Sequence, residues 1–295
     1  MIQSHTNLAE TRKRAFGIFL GFFFLSIALA FQSCAAKSSR ITAEELLETG
    51  VYLPENPSWE NIAPGLQSFR YKNAAVPLRY SVVKIDLSVE GLELFAHPAI
   101  PEDGGEFKKI SIKRFAEKTQ SHVAFNVSPF ESILSAKTKI IGIHKVSGAI
   151  LSEPTPNYAC ILFTAEKSPC RAFISINQND AHSSDFPLAL GGFFVVLKNG
   201  TPVDSFKNRL DSRMGAGLSA DGRTMIILAV EGENPSESVG LSYLHCAGIF
   251  LSLGCTDAIE FDGGGSTSLL VNGSSFLSYE PFRKSVNYLG IKSSK

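Results

Sequence analysis

Residues 255–267 read Cys255 Thr256 Asp257 Ala258 Ile259 Glu260 Phe261 Asp262 Gly263 Gly264 Gly265 Ser266 Thr267. The first half alternates, with Ile259 and Phe261 on one face and Ala258, Glu260 and Asp262 on the other, the two-residue period of a strand. Ordering three consecutive glycines costs much backbone entropy, so they imply positive φ angles or the close approach of another group to bare backbone. An acid at a strand end, exposed peptide N–H groups and two hydroxyls together make a place where an anion or a sugar ring can reach the chain.

Upstream, Leu241, Leu244, Gly248 and Leu251 recur at three- and four-residue spacing, which predicts a helix over 239–253 ended by Gly254. Downstream, Leu269 Leu270 Val271 runs into Asn272 Gly273, a hairpin signal. Elsewhere Thr42 and Glu45 form a capping box, Ser111 caps a helix through about residue 119, and Asp221 Gly222 marks a second hairpin. Strands are predicted at 80–87, 92–96, 123–126, 140–143, 149–151, 159–164, 172–176, 193–197 and 225–230. Strands outnumber helices, so the fold class is α+β: mixed, mostly antiparallel sheets with a few packed helices in a single large domain.

The N-terminus carries Arg12, Lys13 and Arg14, an apolar run over 15–31, then Gln32 Ser33 Cys34. A charged start, a short apolar stretch and a small residue before a cysteine resemble a bacterial lipoprotein signal, with Cys34 the lipidated residue; an uncleaved membrane anchor is the alternative. The expectation is an exported protein, lipid-anchored in the bacterial cell envelope. Loss of residues 1–33 leaves 25 basic and 27 acidic residues, a balance that argues against a nucleic-acid partner. With 44% hydrophobic residues and 22 phenylalanines, the remainder is rich enough for a sizeable core.

Beyond the glycine run, residues in the right order resemble the phosphodiester glycosidase family: Val123 Ala124 Phe125 Asn126, Leu190 Gly191 Gly192 Phe193, Arg213 Met214 Gly215 Ala216 Gly217, Glu231 Gly232, Asp262 to Thr267, and Arg283 with Val286 and Asn287. The resemblance covers residues 80–295 and is stronger in the second half. It divides the chain into a signal peptide (1–33), a tether and lead-in segment (34–77) broken by prolines at 54, 57 and 64, and a phosphodiester glycosidase-like domain (78–295). Four positions depart from the family pattern: Val127 and Ser128 replace two glycines, Glu231 an aspartate and Glu260 an asparagine. Val127 and Ser128 imply a different backbone path after Asn126.

The resemblance implies hydrolysis of a sugar–phosphodiester bond, in which positive charge develops on the sugar and negative charge on the departing phosphate. Asp262 is the candidate carboxylate for the first. Glu260 would lie roughly 7 Å from it along one strand face, a spacing that carboxylate pairs in glycosidases use. Arg213 and Arg283, both from the family pattern, are the candidate phosphate donors. Gly263, Gly264, Gly265, Ser266 and Thr267 would supply an N–H and hydroxyl nest, and Asn126 would bond the sugar or orient the carboxylate. The partner is a glycan or sugar-phosphate substrate. A glycan- or partner-binding lipoprotein without turnover is the alternative.

No cofactor is implied. The six histidines lack metal-ligand spacing and no CxxC pair exists, so no catalytic or structural metal is expected, although the many carboxylates leave room for a structural calcium. Cys160, Cys170, Cys246 and Cys255 allow either two disulfides, in three possible pairings, or four buried thiols. Gly215 to Ala220 matches a relaxed dinucleotide fingerprint, yet Asp221 Gly222 follows as a turn where a helix is required.

Overall fold

The computed structural model describes residues 41–100, 103–203 and 209–294, all within one compact unit that begins at Ile41. The apolar run over 15–31 and Cys34, on which the lipid-anchor expectation rests, lie outside the described residues. Three helices are described: α1 (Ala43–Thr49), α2 (Ile112–Thr119) and α3 (Tyr243–Ser252).

The fold is α+β. Eight strands form the main sheet in the order Glu60–Ala63, Leu66–Asn73, Leu78–Asp86, Thr224–Val230, Arg213–Leu218, Asp257–Glu260, Val195–Lys198, Thr201–Pro202, every pair antiparallel. A second sheet of five strands contains Cys160–Phe163 and Leu188–Gly191 at its centre. A third holds Val123–Asn126 between Leu269–Val271 and Tyr288–Ser293.

Both faces of the main sheet are covered, which explains why Thr224–Val230 is apolar almost throughout. Met225, Ile227 and Ala229 join a core shared with the other two sheets, which also contains Phe125, Ile161 and Phe163. Ile226, Leu228 and Val230 face the opposite way, onto Leu46 of α1 and Cys246, Ile249 and Phe250 of α3. Gly217 permits this second layer, since a Cβ there would stand 2.5 Å from Phe250 and 2.6 Å from the Cys255 sulfur.

Local signals set most element ends. The capping box of Thr42 and Glu45 opens α1, and Ser111 caps α2. Helix α3 starts at Tyr243, later than the apolar spacing predicts, because Ser242 caps it and His245 closes the box. The predicted strand over 140–143 reduces to one bridge at Ile140, since Gly142 turns the chain at φ +98 and the strand begins at His144. Strands Glu60–Ala63 and Leu66–Asn73 lie inside the segment read as tether and lead-in, and form one edge of the main sheet. All four cysteines among the described residues are buried free thiols, which removes the two-disulfide alternative.

Candidate active site

At Glu260 the chain leaves the main sheet and attaches to the third. The Asp262 N–H donates to the Val127 carbonyl at 2.8 Å, and the Asp262 carbonyl accepts from Asn126 Nδ2 at 2.6 Å. Asn126 Oδ1 accepts from the Ser268 N–H at 2.9 Å and its hydroxyl at 3.2 Å. Only 1% exposed, Asn126 is a strut between the two ends of the loop, and its predicted role on a sugar gives way to positioning.

Val127 and Ser128 follow without positive φ angles. Val127 packs in the shared core, while the Ser128 N–H donates to Asn287 Oδ1 at 3.2 Å and its hydroxyl to the Gly191 carbonyl at 2.7 Å. Asn287 Nδ2 meets His144 Nδ1 at 2.7 Å, and His144 Nε2 lies 2.7 Å from the Pro98 carbonyl. Burial pushes His144 down to about 4, so the ring is neutral: Nε2–H donates and Nδ1 accepts.

The glycine run makes its own turn. Gly264 N–H donates to the Ser212 carbonyl at 3.0 Å, and the Ser266 and Thr267 N–H groups return to the Gly263 and Gly264 carbonyls at 3.1 and 3.0 Å. These donors point inward, so the expected open N–H nest does not form along the whole run. Gly263 is needed for close approach: a Cβ there would stand 2.7 Å from the Ser212 oxygen. Gly264 adopts φ +55 in open space. A Cβ on Gly265 would meet Arg283 Nη2 at 2.5 Å.

Arg283, Ser266 and Asp262 thus come together. Arg283 Nη1 donates to Ser266 Oγ at 3.1 Å, and both groups favour the ionised Asp262 carboxylate. Burial outweighs them and pushes Asp262 up to about 6. Thr267 is buried, with no partner for its hydroxyl among the described residues.

Glu260 sits on the other side of the loop, 1% exposed, with neither oxygen hydrogen-bonded among the described residues. Burial pushes it up to about 8 against the pull of Arg213 and the Met214 amide, with Asp211 and Asp262 adding to the rise. Arg213 does not join Arg283. Its Nε donates to the Leu241 carbonyl at 3.0 Å, its Nη2 to the Arg209 carbonyl at 2.8 Å, and its plane lies 4.0 Å from the Tyr243 ring centre. The expected phosphate donor is therefore a buried support beside Glu260.

Two carboxylates are thus separated by environment. Near pH 7 Asp262 is ionised and Glu260 protonated, a division of labour suited to a base or charge stabiliser beside a neutral acid. Glu231 accepts from the Ser278 N–H at 2.7 Å and from its hydroxyl, tying segment 276–282 to the main sheet. A groove of about 460 Å³ beside that segment is lined by Glu231, Glu233, Tyr279 and Phe282, and Asp262 does not line it. The larger groove, about 540 Å³ between residues 54–60 and Phe276, contains none of the predicted site residues. Sequence reasoning missed Ser212, Tyr243 and Ser268, none of which lies in a recognisable motif; only the adjacency of Ser212 to Arg213 and of Ser268 to Thr267 marked them.

A search of the solved structures finds the zebrafish N-acetylglucosamine-1-phosphodiester alpha-N-acetylglucosaminidase catalytic domain, auto-inhibited by its pro-peptide, at 16% identity and TM-score 0.61, covering 81% of this chain and 87% of that one. A hypothetical protein from Synechocystis matches at 14% identity and TM-score 0.61 over 81% of this chain, which spans only 64% of that protein. A putative exported protein from Burkholderia pseudomallei matches at 13% identity and TM-score 0.56, covering 73% and 74%. No curated protein sequence matches the chain. These likenesses concern the fold. The phosphodiester glycosidase profile matches residues 125–292, which include the Asn126 strut, the Asp262 loop and Arg283, and the chain belongs to that family.

Proposed function

We propose that the chain is an exported glycoside hydrolase, lipid-anchored through Cys34, that cleaves a sugar–phosphodiester bond of the N-acetylglucosamine-1-phosphodiester type in an envelope or imported glycan. The observation that carries the reading is Asp262: a carboxylate with a near-neutral pKa, flanked by Ser266 and Arg283, and backed by a protonated Glu260. Asp262 offsets the charge that develops at the anomeric carbon and then takes the proton of the attacking water. Arg283 holds the phosphate. Glu260, uncharged, keeps the negative charge of the pair on Asp262. A phosphate is a good leaving group, so no strong general acid is required. Export and anchoring rest on the signal-like N-terminus, and the near-neutral charge balance argues for a glycan partner over nucleic acid.

The test is to incubate the full-length chain, in detergent, with an aryl phosphodiester of alpha-linked N-acetylglucosamine and with cell-wall glycans, beside Asp262→Ala. Turnover that falls about 10³-fold in the variant supports the enzyme. Equal background in both, with glycan binding retained, would leave a binding protein on the same fold.

A further inference from the structure

Lys109 belongs to no motif, yet its charge feels that of Arg283. Ile110 and Ser285 exchange backbone hydrogen bonds at 3.0 and 3.2 Å, which brings the chain around Lys109 beside the chain that carries Arg283. The half-buried Lys109 ammonium donates to the Ser132 and Ile133 carbonyls at 3.0 and 2.8 Å, which leaves one of its three N–H groups. Its pKa is lowered, first by desolvation and then by the Arg283 charge. Among the described residues neither cation forms an ion pair within 4.0 Å. Two cations held in mutual repulsion, one of them Arg283 beside Asp262, await an anion.

Charge arithmetic says which anion. A phosphodiester bears one negative charge. When the sugar–oxygen bond breaks, both electrons stay on the phosphate oxygen, water adds its oxygen to the anomeric carbon and gives its proton to Asp262, and the released monoester carries a second charge. Arg283 is already partly balanced by Asp262. We propose that Lys109 is a second phosphate-binding residue of this site, which takes up the charge that appears on the leaving phosphate. This rests on the phosphodiester reading above. The rival role for Lys109 is to clip loop 132–133 and nothing more.

Titration of the full-length chain with inorganic phosphate measures the site without turnover, and a parallel titration with free N-acetylglucosamine measures the sugar side. Lys109→Met is expected to weaken phosphate at least 10-fold and leave the sugar unchanged; Lys109→Arg, which keeps charge and donors, stays within about 3-fold of the parent for both. Where turnover is measurable, Lys109→Met lowers kcat more than it raises KM, because the second charge exists only after bond cleavage has begun. Failure of the parent to bind phosphate, or equal phosphate affinity in parent and Lys109→Met, overturns the proposal. So does a parallel loss of phosphate and sugar in Lys109→Met, the mark of a loop clip. Phosphate binding that depends on Lys109 in a protein that cleaves no phosphodiester would sustain this site and sink the glycosidase reading alone.

Discussion

The two sides of the Asp262–Thr267 turn are built on different principles. Toward Gly263 the loop meets backbone: the Ser212 carbonyl, the Arg213 Cα and a buried Glu260, packed so closely that shape alone selects the residue. Toward Gly265 it meets the end of a long side chain, Arg283, and charge does the selecting. One side has nothing that can yield, and the other has a guanidinium that can swing. Substitutions in one short loop should therefore divide into structural and functional effects according to the side they touch.

The strongest way to break that division is through Asn126, which holds both ends of the loop. Asn126→Ala leaves the Asp262 carbonyl and the Ser268 N–H without their partner in a buried site, at a cost of about 1–3 kcal/mol for each group. Chemical denaturation should show a loss near the sum, and activity should fall with it. Unchanged stability would mean that the loop is held from the Ser212 side alone.

Next come the two glycines. Gly263→Ala puts a methyl 2.7 Å from a backbone oxygen, an overpacking cost of about 1–3 kcal/mol, with turnover lost as the loop shifts. Gly265→Ala meets only the movable Arg283, so stability changes by less than about 1 kcal/mol while phosphate binding weakens. Equal melting temperatures for the two variants would erase the contrast.

How much of this could be read from the chain follows the same line. Features set by local chemistry were legible: the Thr42 capping box, Ser111, the Asn272 Gly273 hairpin and the alternation that directs Ile259 and Phe261 into the shared core. The turn after Asp262 was legible too, because an acid before three glycines needs an explanation wherever it folds. Arg213 was not, since its task depends on the Leu241 and Arg209 carbonyls and the Tyr243 ring, which only the tertiary fold brings to it. Residues 60–73 escaped for a related reason. The edge strand Glu60–Ala63 and the strand beside it, where Arg70 and Lys72 are exposed, lack the apolar regularity that marks a central strand.

Glu260 gives a pH signature to the packed side. Its carboxyl has an ordinary value of 4.5 and is pushed up to about 8 in the fold, where Arg213, Asp211, Tyr243, Cys246 and Asp262 face it. The folded state then holds a proton that the unfolded chain has lost, so stability falls as pH rises from about 4.5 through about 8, by at most about 1.4 kcal/mol per pH unit. Asp262 acts in the same direction but only up to about 6, while His144 and His245, both held near 4, act in the opposite direction below 6.5. Between pH 6.5 and 8 the slope therefore belongs to Glu260. Glu260→Gln should flatten it, and a wild-type denaturation midpoint that does not move across that window would show that Glu260 is already ionised.

The smallest effect is expected at Gly264, between the two sides. Its φ of +55 lies in the left-handed region, where a Cβ costs about 1 kcal/mol, but nothing stands within 4 Å of the added atom. Gly264→Ala should lower stability by that strain alone and leave turnover within about 2-fold, because neither the Ser212 carbonyl nor Arg283 has to move. Gly264→Asn should recover part of the loss, since asparagine tolerates this conformation better. A Gly264→Ala protein as damaged as Gly263→Ala would mean that the turn must flex during turnover, and that the middle of the run, where an added Cβ meets neither wall, is selected for motion and not for space.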